Sequence, residues 1–592
     1  MSITHQVLLK LGYSYRPISR LKRELFLRKY SILNGVYIKR YNTKHGVFEV
    51  AMIQANDPHI ELPTVFVIDM PQDLEGRLTP HISHEGYLCY VEQMEADWNP
   101  NNLDELYKAV DIQIKTTLDI VVNAIGNKTE GDRELDNEFV SYWSSTVDLY
   151  SLSELRRNSS YTSVLAGPID KESSRLSEYI TVQVDKKEQD LRTNKYLQSW
   201  LKQRGLELAR PENPSIKTHY VWVQPSRLSG IEWPPQDLKE VISWLELVDF
   251  SARDHFVRCL SNSKAKRNVV VLDIEKQDPV SLYLEIDVNR VEYQFSARRT
   301  RRKRKHTSFK NLIGILTRKG FCSKFDRLSV TKADKSAVLS RNQQRELELS
   351  SKNIALIGCG TIGGYLAELL VRNGAGLGAK YLHLYDKDTL KPHNFSRHTL
   401  PVSDFGNNKA SALAVTLMNS IHLAKNISGF DSNFPINERV LSKYDIVIDA
   451  TGRPPVSKRL AFIVRQMSVK RPAIVHVFND GNGRAAKVLV DMNISCYGCM
   501  TIDKSIHQDH TDIRFKDLEL SKEKKVSCGN TYTVYDAGVS QISAAMALEA
   551  VLNTLNTNMP WTYSEFILDP RYRTGKRKVL KPQKQCVVCN GV

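Results

Sequence analysis

The segment NIALIGCGTIGG, residues 353–364, constrains the fold of this chain more than any other. Its glycines Gly358, Gly360 and Gly363 form a G-x-G-x-x-G pattern between an apolar strand-like run and the helix-like run YLAELLVRN. Glycines at these positions let the backbone approach a phosphate, and the N-terminus of the following helix offers free N–H groups. The pattern predicts a Rossmann-like nucleotide-binding domain. Taken alone, it fits NAD and FAD enzymes equally well.

The 592 residues are enough for three or four separate cores, so we expect several domains. Short strand-like runs (GVYIKRY, FEVAMI, PTVFVIDM) followed by the long helix-like run LDELYKAVDIQIKTTLDIVVNAI predict an α+β domain over residues 1–155. Further strand-like runs, among them THYVWVQP, NVVVLDI, SLYLEIDV and RVEYQF, predict an α/β connecting domain over residues 156–335, with a helix in PPQDLKEVISWLEL. Glycine-punctuated α/β sequence continues through YLHLYDKD and DIVIDATG and predicts the Rossmann-like domain over residues 336–592.

Charge and composition limit the kinds of partner and the cellular compartment that we expect. The formal net charge of +17 favours acidic partners. The basic run RRTRRKRK, residues 298–305, is a candidate phosphate-binding segment, although a solvated loop explains it more simply, and we do not expect nucleic acid as a partner. No apolar run approaches the roughly 20 residues that span a bilayer, and the N-terminus lacks a signal-peptide layout, so we expect a cytoplasmic protein without a membrane partner. Nine cysteines in such a chain favour reduced thiols or metal ligands over disulfides.

The segment DKDTLKPHNFSRH, which follows the second strand of the Rossmann-like domain, separates the nucleotide-binding classes. Asp386 can hold a ribose in any of them. The segment continues after this acid with Asn394 and Arg397, and the following GNNKA adds Lys409. A dehydrogenase has no need of these three residues. An adenylating enzyme needs such residues, because cations at the triphosphate stabilise the charge that builds on the α-phosphate as pyrophosphate leaves.

This set resembles the D-x-D-x-x-x-x-x-N-x-x-R signature of ubiquitin-activating enzymes and of their bacterial relatives that adenylate sulfur-carrier proteins. Asp386, Asp388, Asn394 and Arg397 align with it without a gap. The resemblance implies that Asp386 holds the ribose of ATP and that Asn394, Arg397 and Lys409 contact its phosphates.

The resemblance also implies Mg²⁺ and a dimer. The family usually has a second aspartate in a D-x-x-D element that helps to hold Mg²⁺, whereas DATG here gives Asp449 followed by Gly452, which leaves Asp449 as the candidate. Relatives of the adenylation domain are dimers, sometimes with an arginine lent across the interface. We therefore expect a homodimer, with Arg341 and Arg345 as candidates for that arginine.

Two C-x-x-C pairs predict a metal site. Four thiolates can hold one tetrahedral Zn²⁺, and a closed four-sulfur site leaves no open position for catalysis, so the zinc would be structural. The alternative, two redox motifs, lacks a thioredoxin-like context. The four residues are Cys496 and Cys499 in CYGC, and Cys586 and Cys589 in CVVC.

Cys528 lies between these pairs, in KEKKVSCGN. The neighbouring lysines 522, 524 and 525 would lower the pKa of its thiol if they lie near it. In activating enzymes, a cysteine in this region, on a loop that crosses the sheet, takes the acyl group from AMP, and the resemblance implies that role for Cys528. A plain structural cysteine is the alternative.

The stretch TPHISHEGYLCY, residues 79–90, contains a second candidate nucleophile, Cys89. It resembles the H-P-N-x-x-x-x-G-x-[IL]-C motif that ends at the acceptor cysteine of ubiquitin-conjugating enzymes. His81 stands where that family has the asparagine thought to stabilise the oxyanion, and an imidazole N–H can make the same hydrogen bond. The matching positions are Thr79 (in place of histidine), Pro80, His81, Gly86, Leu88 and Cys89, followed by Trp98, Asn99 and Pro100 as the family's W-x-P.

A chain with both halves resembles the bacterial fused activating and conjugating enzymes of cyclic-oligonucleotide anti-phage (CBASS) operons. The resemblance implies that the carrier is the C-terminus of a cGAS-like nucleotidyltransferase. This carboxylate would be adenylated, passed to Cys528 and then to Cys89, and linked to an amine of a target protein. Two other classes remain open: an NAD- or FAD-dependent oxidoreductase with structural zinc, and a zinc-stabilised nucleic-acid-binding protein that uses the basic run.

Overall fold

The computed structural model divides the chain into two compact units. One unit is Met1–Leu191 with Glu207–Lys332, and the other is Arg192–Leu206 with Ala333–Val592. No helix among the described residues is both long and apolar enough to cross a membrane. The structure describes residues 3–20, 35–54, 57–83, 85–91, 99, 101–126, 128–135, 139–143, 145, 147–184, 191–228, 231–288, 309–340, 348–492, 494–508, 511–516, 524–527, 530–532, 535–556 and 558–589.

The first unit begins with an antiparallel four-stranded sheet against which a long helix packs. The strands follow one another in the order β1-β2-β3-β4. The helix buries Leu106, Val110 and Ile114, which recur every four residues, in the core that it shares with the sheet. The predicted α+β character of this region is confirmed. Its elements are α1 (Ile3–Lys10), β1 (Ser14–Pro17), β2 (Gly35–Thr43), β3 (Gly46–Ile53), β4 (Thr64–Asp69), α2 (Leu103–Gly126) and α3 (Lys128–Glu134).

The rest of the first unit is a mixed eight-stranded sheet in the order β7-β5-β12-β11-β10-β9-β6-β8. Apolar residues of its strands and helices form a large core, which also takes in Leu78, Phe139 and Trp143 from the earlier region, and other residues of the strands form a second, smaller cluster. RVEYQF and the basic run lie outside the described residues. The elements are β5 (Val147–Ser151), β6 (Tyr161–Pro168), β7 (Glu178–Gln183), α4 (Lys195–Arg204, in the second unit), β8 (Leu206–Leu208), β9 (Ile216–Val223), α5 (Leu238–Val248), α6 (Phe250–Ser261), β10 (Arg267–Ile274), β11 (Val280–Ile286), α7 (Phe309–Leu316) and β12 (Cys322–Lys332).

The second unit is built on a seven-stranded sheet in the order β15-β14-β13-β16-β17-β18-β23. The first five strands are parallel, β18 pairs antiparallel with β17, and β23 pairs antiparallel with β18. The Rossmann-like prediction is confirmed. The elements are α8 (Lys335–Leu339), β13 (Ile354–Ile357), α9 (Thr361–Arg372), β14 (Leu382–Tyr385), α10 (Lys409–Ser420), β15 (Ile427–Phe430), α11 (Glu438–Leu441), β16 (Ile446–Asp449), α12 (Pro454–Gln466), β17 (Ala473–Asp480), β18 (Ala485–Asp491), α13 (Tyr497–Ile502), β19 (His507–Gln508), β20 (Thr511–Asp512), β21 (Lys524–Ser527), β22 (Asn530–Tyr532), α14 (Ala537–Asn553) and β23 (Tyr563–Ile567).

The strand order of the second unit fixes where a ligand can bind. The chain moves outward from β13 to β14 and β15, and then returns to the other side of β13 to form β16 and β17. In an open parallel sheet, the loops at such a reversal separate and leave a crevice beyond the carboxyl ends of the strands. The loops that follow β13, β14 and β16 meet at this edge.

Candidate functional site

The glycine loop joins β13 to the first turn of α9. Gly358 has a φ of +89°, in the left-handed region that glycine adopts without strain. A Cβ on Gly363 would lie 1.9 Å from the carbonyl oxygen of Gly358, so the helix can pack this closely only with glycine there. A Cβ on Gly360 would meet nothing within 4 Å. Two of the glycines are therefore required by packing or backbone, and the third faces open space.

Asp386 links the end of β14 to the glycine loop. Its Oδ2 accepts the backbone N–H of Cys359 at 2.8 Å, and its Oδ1 accepts that of Asp388 at 2.8 Å. Asn408 donates its side-chain amide to the Asp386 carbonyl at 2.7 Å. The carboxylate is thus held in one orientation at the edge of the crevice.

The two predicted cations, Arg397 and Lys409, each lie against another side chain. Lys409, the first residue of α10, is only 9% exposed, and its Nζ lies 3.6 Å from Oδ2 of Asp388. The guanidinium carbon of Arg397 lies 4.6 Å from the centre of the Tyr535 ring. Asn394 accepts the backbone N–H of Lys391 at 2.9 Å and so closes the short helical turn that carries Arg397.

His398 is a buried partner of the glycine loop that sequence reasoning did not find. Its Nε2 donates to the carbonyl oxygen of Cys359 at 2.8 Å. Burial lowers the pKa of His398, which favours the neutral ring. Burial also raises the pKa of Cys359 well above its ordinary value, and the charge of Asp386 raises it further, so this thiol is not a nucleophile. Nothing in the local sequence indicates the contact between the two residues.

Asp449 is turned into the protein at the end of β16. Its Oδ1 accepts the Thr451 hydroxyl at 2.7 Å, and its Oδ2 accepts Ser457 Oγ at 2.6 Å and His476 Nδ1 at 3.0 Å. Burial alone raises the pKa of Asp449, but the hydrogen bonds, led by that from His476, more than offset it and leave the pKa below its ordinary value. The carboxylate fixes the turn that abuts Gly358, where a Cβ would lie 3.1 Å from the Ala450 backbone. Its role toward nucleotide or metal stays a prediction.

The two C-x-x-C pairs come together in one cluster. The sulfur atoms of all four residues lie within 4.8 Å of one another. The Sγ–Sγ distances are 3.6 Å for Cys496 and Cys586, 3.4 Å for Cys499 and Cys589, and 3.9 Å for Cys496 and Cys499. Four thiolates around a tetrahedral Zn²⁺ at about 2.3 Å lie about 3.8 Å apart. The donor set and its spacing therefore fit zinc.

Cys528 lies outside the described residues, as do Lys522, Arg341 and Arg345. The described strands on either side of Cys528, β21 and β22, pair antiparallel, with Ser527 opposite Asn530. The nucleophilic role of Cys528 stays a prediction.

Cys89 ends a short segment that pairs with β4. Leu88 donates its backbone N–H to Val65 at 2.8 Å, and Gly86 accepts that of Val67 at 2.7 Å. Gly86 has a φ of +85°, and a Cβ there would lie 2.5 Å from the Val67 oxygen, so the position requires glycine. Cys89 itself is exposed, as a nucleophile must be. Trp98 and Pro100 lie outside the described residues.

His81 lies beside Cys89 in this segment. Its carbonyl oxygen accepts the backbone N–H of Cys89 at 2.9 Å, and its φ of +63° is uncommon for a residue other than glycine. Its ring Nε2 lies 3.2 Å from Oε2 of Glu134, the last residue of α3. Sequence reasoning missed Glu134, which is far from His81 along the chain and belongs to no motif.

The two halves match two different family models. The model of prokaryotic E2 family B matches residues 11–152, and that of the ThiF family matches residues 334–588. An E2-like half and a ThiF-type adenylation half in one chain define the class of fused activating and conjugating enzymes.

Full-length relatives narrow this class to a family. The chain is 46% identical over 589 residues to the ATP-dependent ubiquitin transferase-like protein Cap2 of Vibrio cholerae, with 99% of both chains covered. It is 44% identical over 595 residues to the Cap2 protein of Escherichia coli, with 99% of this chain and 98% of that one covered. Among solved structures, the match to E. coli MccB with ATP covers 41% of this chain and 68% of the MccB chain, at 17% identity and a TM-score of 0.30. The chain belongs to the family of ATP-dependent ubiquitin transferase-like Cap2 proteins, which confirms the resemblance to fused activating and conjugating enzymes.

Proposed function

We propose that this enzyme adenylates the C-terminus of a partner protein and passes it through two cysteines to a target amine. The carboxylate attacks the α-phosphate of ATP, and pyrophosphate leaves. The thiolate of Cys528 attacks the acyl carbon and releases AMP. The thiolate of Cys89 then displaces Cys528, and an amine of the target attacks the second thioester to give an amide. Covalent catalysis of this kind divides one difficult step into several easier ones.

The observation that carries this proposal is the setting of Asp386. Its carboxylate is fixed between the glycine loop and the segment that carries the predicted cations. This supports Asp386 as the ligand of the ATP ribose, and open space at Gly360 supports a close approach of the phosphates to the N-terminus of α9. Asp388, Asn394, Arg397 and Lys409 complete the proposed ATP site.

Mg²⁺ is proposed to accompany the triphosphate, whose charge it would partly neutralise. Asp449 is the candidate acid beside the glycine loop, with both of its oxygens already accepting hydrogen bonds from the protein.

Zn²⁺ is proposed at Cys496, Cys499, Cys586 and Cys589, in a structural role that holds the C-terminal segment to α13.

The proposed carrier is the C-terminus of a cGAS-like nucleotidyltransferase, and the proposed setting is cytoplasmic anti-phage defence by a homodimer. These assignments rest on the resemblance to the fused enzymes of CBASS operons.

We also propose the division into a conjugating domain (1–155), a connecting domain (156–335) and an adenylation domain (336–592). The E2 and ThiF family matches support its first and last parts.

Arg397→Ala tests the adenylation step. Carrier-dependent exchange of pyrophosphate into ATP should fall by roughly 10²–10³, because a cation that faces the phosphates is lost. Arg372→Ala is the matched control, since Arg372 lies at the far end of α9 and pairs with Glu368 on the surface, and its exchange rate should stay at the wild-type level. Normal exchange in a folded Arg397→Ala variant would show that the site is wrong.

A further inference from the structure

The buried side chain of His398 is held through both nitrogens of its ring. Its Nε2 lies 2.8 Å from the carbonyl oxygen of Cys359, and its Nδ1 lies 3.2 Å from the backbone nitrogen of Leu400. A carbonyl oxygen only accepts hydrogen bonds and a backbone N–H only donates them, so Nε2 carries the proton and Nδ1 accepts. The neutral imidazole is therefore fixed in one tautomer and one orientation.

The backbone of Cys359 is held on both sides. Its N–H donates to Oδ2 of Asp386 at 2.8 Å, and its carbonyl oxygen accepts from His398. The peptide that joins Cys359 to Gly360 is trans, and the carbonyl and the N–H of a trans peptide point in opposite directions. The hydrogen bond from His398 therefore turns the N–H of Gly360 to the side of the loop that lies away from the histidine.

His398 also links the glycine loop to the segment of the predicted cations. It directly follows Arg397, at the point where the short helical turn Pro392–Arg397 ends. Its ring packs against the first turn of α9, where a Cβ on Gly364 would lie 3.4 Å from Cε1 and 3.5 Å from Nε2 of the histidine. One side chain thus sets the position of the loop relative to that turn.

We propose that His398 is a positioning residue that orients the N–H of Gly360 for a hydrogen bond to a phosphate of ATP. Gly360 borders open space, and it is the N-cap of α9, where the first backbone N–H groups have no partner within the helix. Such N–H groups bind anions that approach the helix N-terminus. His398 acts on the phosphates and not on the ribose, which is assigned to Asp386. The proposal rests on the proposed ATP site.

Binding of ATP and of adenosine to the full-length enzyme tests this role, because adenosine lacks the phosphates. The amide nitrogen of glutamine can replace Nε2, whereas that of asparagine reaches only the place of Nδ1, so His398→Gln keeps the bond to Cys359 and His398→Asn loses it. His398→Asn should bind ATP roughly 10- to 100-fold more weakly, as expected for a lost hydrogen bond to a charged group, and His398→Gln within about threefold of wild type. Adenosine should bind equally well to wild type and to both variants.

His422→Asn is the matched control. His422 is another buried histidine of the second unit, and its ring packs edge-on against Trp200 with 4.9 Å between the ring centres. Both asparagine variants should lower the unfolding midpoint, because each removes a buried ring, but only His398→Asn should lose affinity for ATP. Wild-type ATP affinity in His398→Asn, or equal losses for ATP and adenosine, would overturn the proposal.

A second measurement needs no variant. Exchange of the Gly360 amide hydrogen with deuterium, resolved by fragmentation of the loop peptide in the mass spectrometer, should slow when ATP binds to the wild-type enzyme and should not slow with adenosine. An unchanged exchange rate with saturating ATP would contradict the proposal. The acyl relay is tested separately: if wild-type enzyme binds ATP but shows no carrier-dependent exchange of pyrophosphate, the proposed function is wrong, while the affinities of the variants still decide the role of His398.

Discussion

At the residue scale, the glycines of the glycine loop meet different physical requirements. Gly363 is needed because its Cα lies against the backbone of Gly358, with no room for a methyl group. Gly360 is next to open space and is the N-cap of α9, with no side-chain cap of its own. Within one motif, then, one glycine is required by the packing of the protein, and the proposed role of the other is to let a ligand approach.

A pair of alanine substitutions separates the two purposes. Gly363→Ala should destabilise the second unit by about 1–3 kcal/mol, because the added methyl forces the helix away from the loop. Gly360→Ala should leave the unfolding midpoint almost unchanged but weaken ATP binding about tenfold or more, since its Cβ occupies the space proposed for the phosphates. Thermal unfolding and ATP titration of both variants check this. Wild-type ATP affinity in Gly360→Ala would place the phosphates elsewhere.

The residues that the sequence predicts are those with local signals. Spacing alone marks Asp386, Asn394 and Arg397, because the family signature is a continuous segment of the chain. His398 and Glu134 carry no such signal, since each is defined by a contact with a residue far away in sequence. A pairwise contact of that kind depends on the folded chain and not on the residue types beside it.

At the scale of elements, the cysteine cluster joins α13 to the C-terminal segment. Cys496→Ser should lose one bound Zn²⁺ per chain and lower the unfolding midpoint of the second unit by about 10 °C or more, because structural zinc contributes directly to folding. Metal analysis and thermal unfolding measure both effects. Cys259→Ser is the control, since Cys259 lies outside the cluster, and it should retain the zinc. Full stability and activity in metal-free protein would contradict the structural role.

A buried charge network holds β17, β18, β20 and β23 together, close in sequence to the segment that carries Cys528. Lys487 is fully buried, and its Nζ lies 2.6 Å from Asp480 and 2.5 Å from Asp512. Arg514 donates to Asp512 and, at 2.7 Å, to Glu565. Burial raises the pKa of Asp512, but hydrogen bonds from Arg514 and the charge of Lys487 bring it well below its ordinary value. The carboxylate therefore adds stability above pH 4 or so, and loses it only as the pH falls through the lowered pKa.

Lys487→Met should destabilise the second unit by about 3–5 kcal/mol, because it removes one of the two cations that pair with the buried carboxylate of Asp512. Lys470→Met is the matched control: Lys470 pairs with Asp445 at the surface, with 62% of its side chain exposed, and it should cost at most about 1 kcal/mol. Denaturant unfolding of the two variants measures the difference. Equal stability of the two variants would mean that the network adds nothing.

Elements were predictable where their periodicity is strong. The apolar runs before and after the glycine loop became β13 and α9, and the helix predicted after proline became α5, which Asp237 caps by accepting the Glu240 N–H at 2.8 Å. Helix α4 shows what periodicity does not predict. It lies in the middle of the chain but belongs to the second unit, where Gln203 donates to the Met418 carbonyl at 3.1 Å. Helix periodicity identifies a buried face and not the surface that covers it.

At the scale of the whole molecule, the proposed reaction passes through two cysteines in different units. Cys89 belongs to the first unit, and Cys528 falls within the sequence of the second. In the proposed reaction, the carrier is adenylated in the second unit and forms a thioester with Cys528 before it reaches Cys89. The order in which the two cysteines carry the acyl group therefore defines the proposed mechanism.

Mass spectrometry of the intact enzyme after incubation with ATP and a cGAS-like nucleotidyltransferase tests that order most directly. Cys89→Ala should still form a thiol-sensitive adduct at Cys528, because the first transfer does not need Cys89. Cys528→Ala should form no adduct at either cysteine, although it should still release pyrophosphate. If Cys89 becomes charged normally in the Cys528→Ala enzyme, the relay is wrong and Cys528 is a structural thiol.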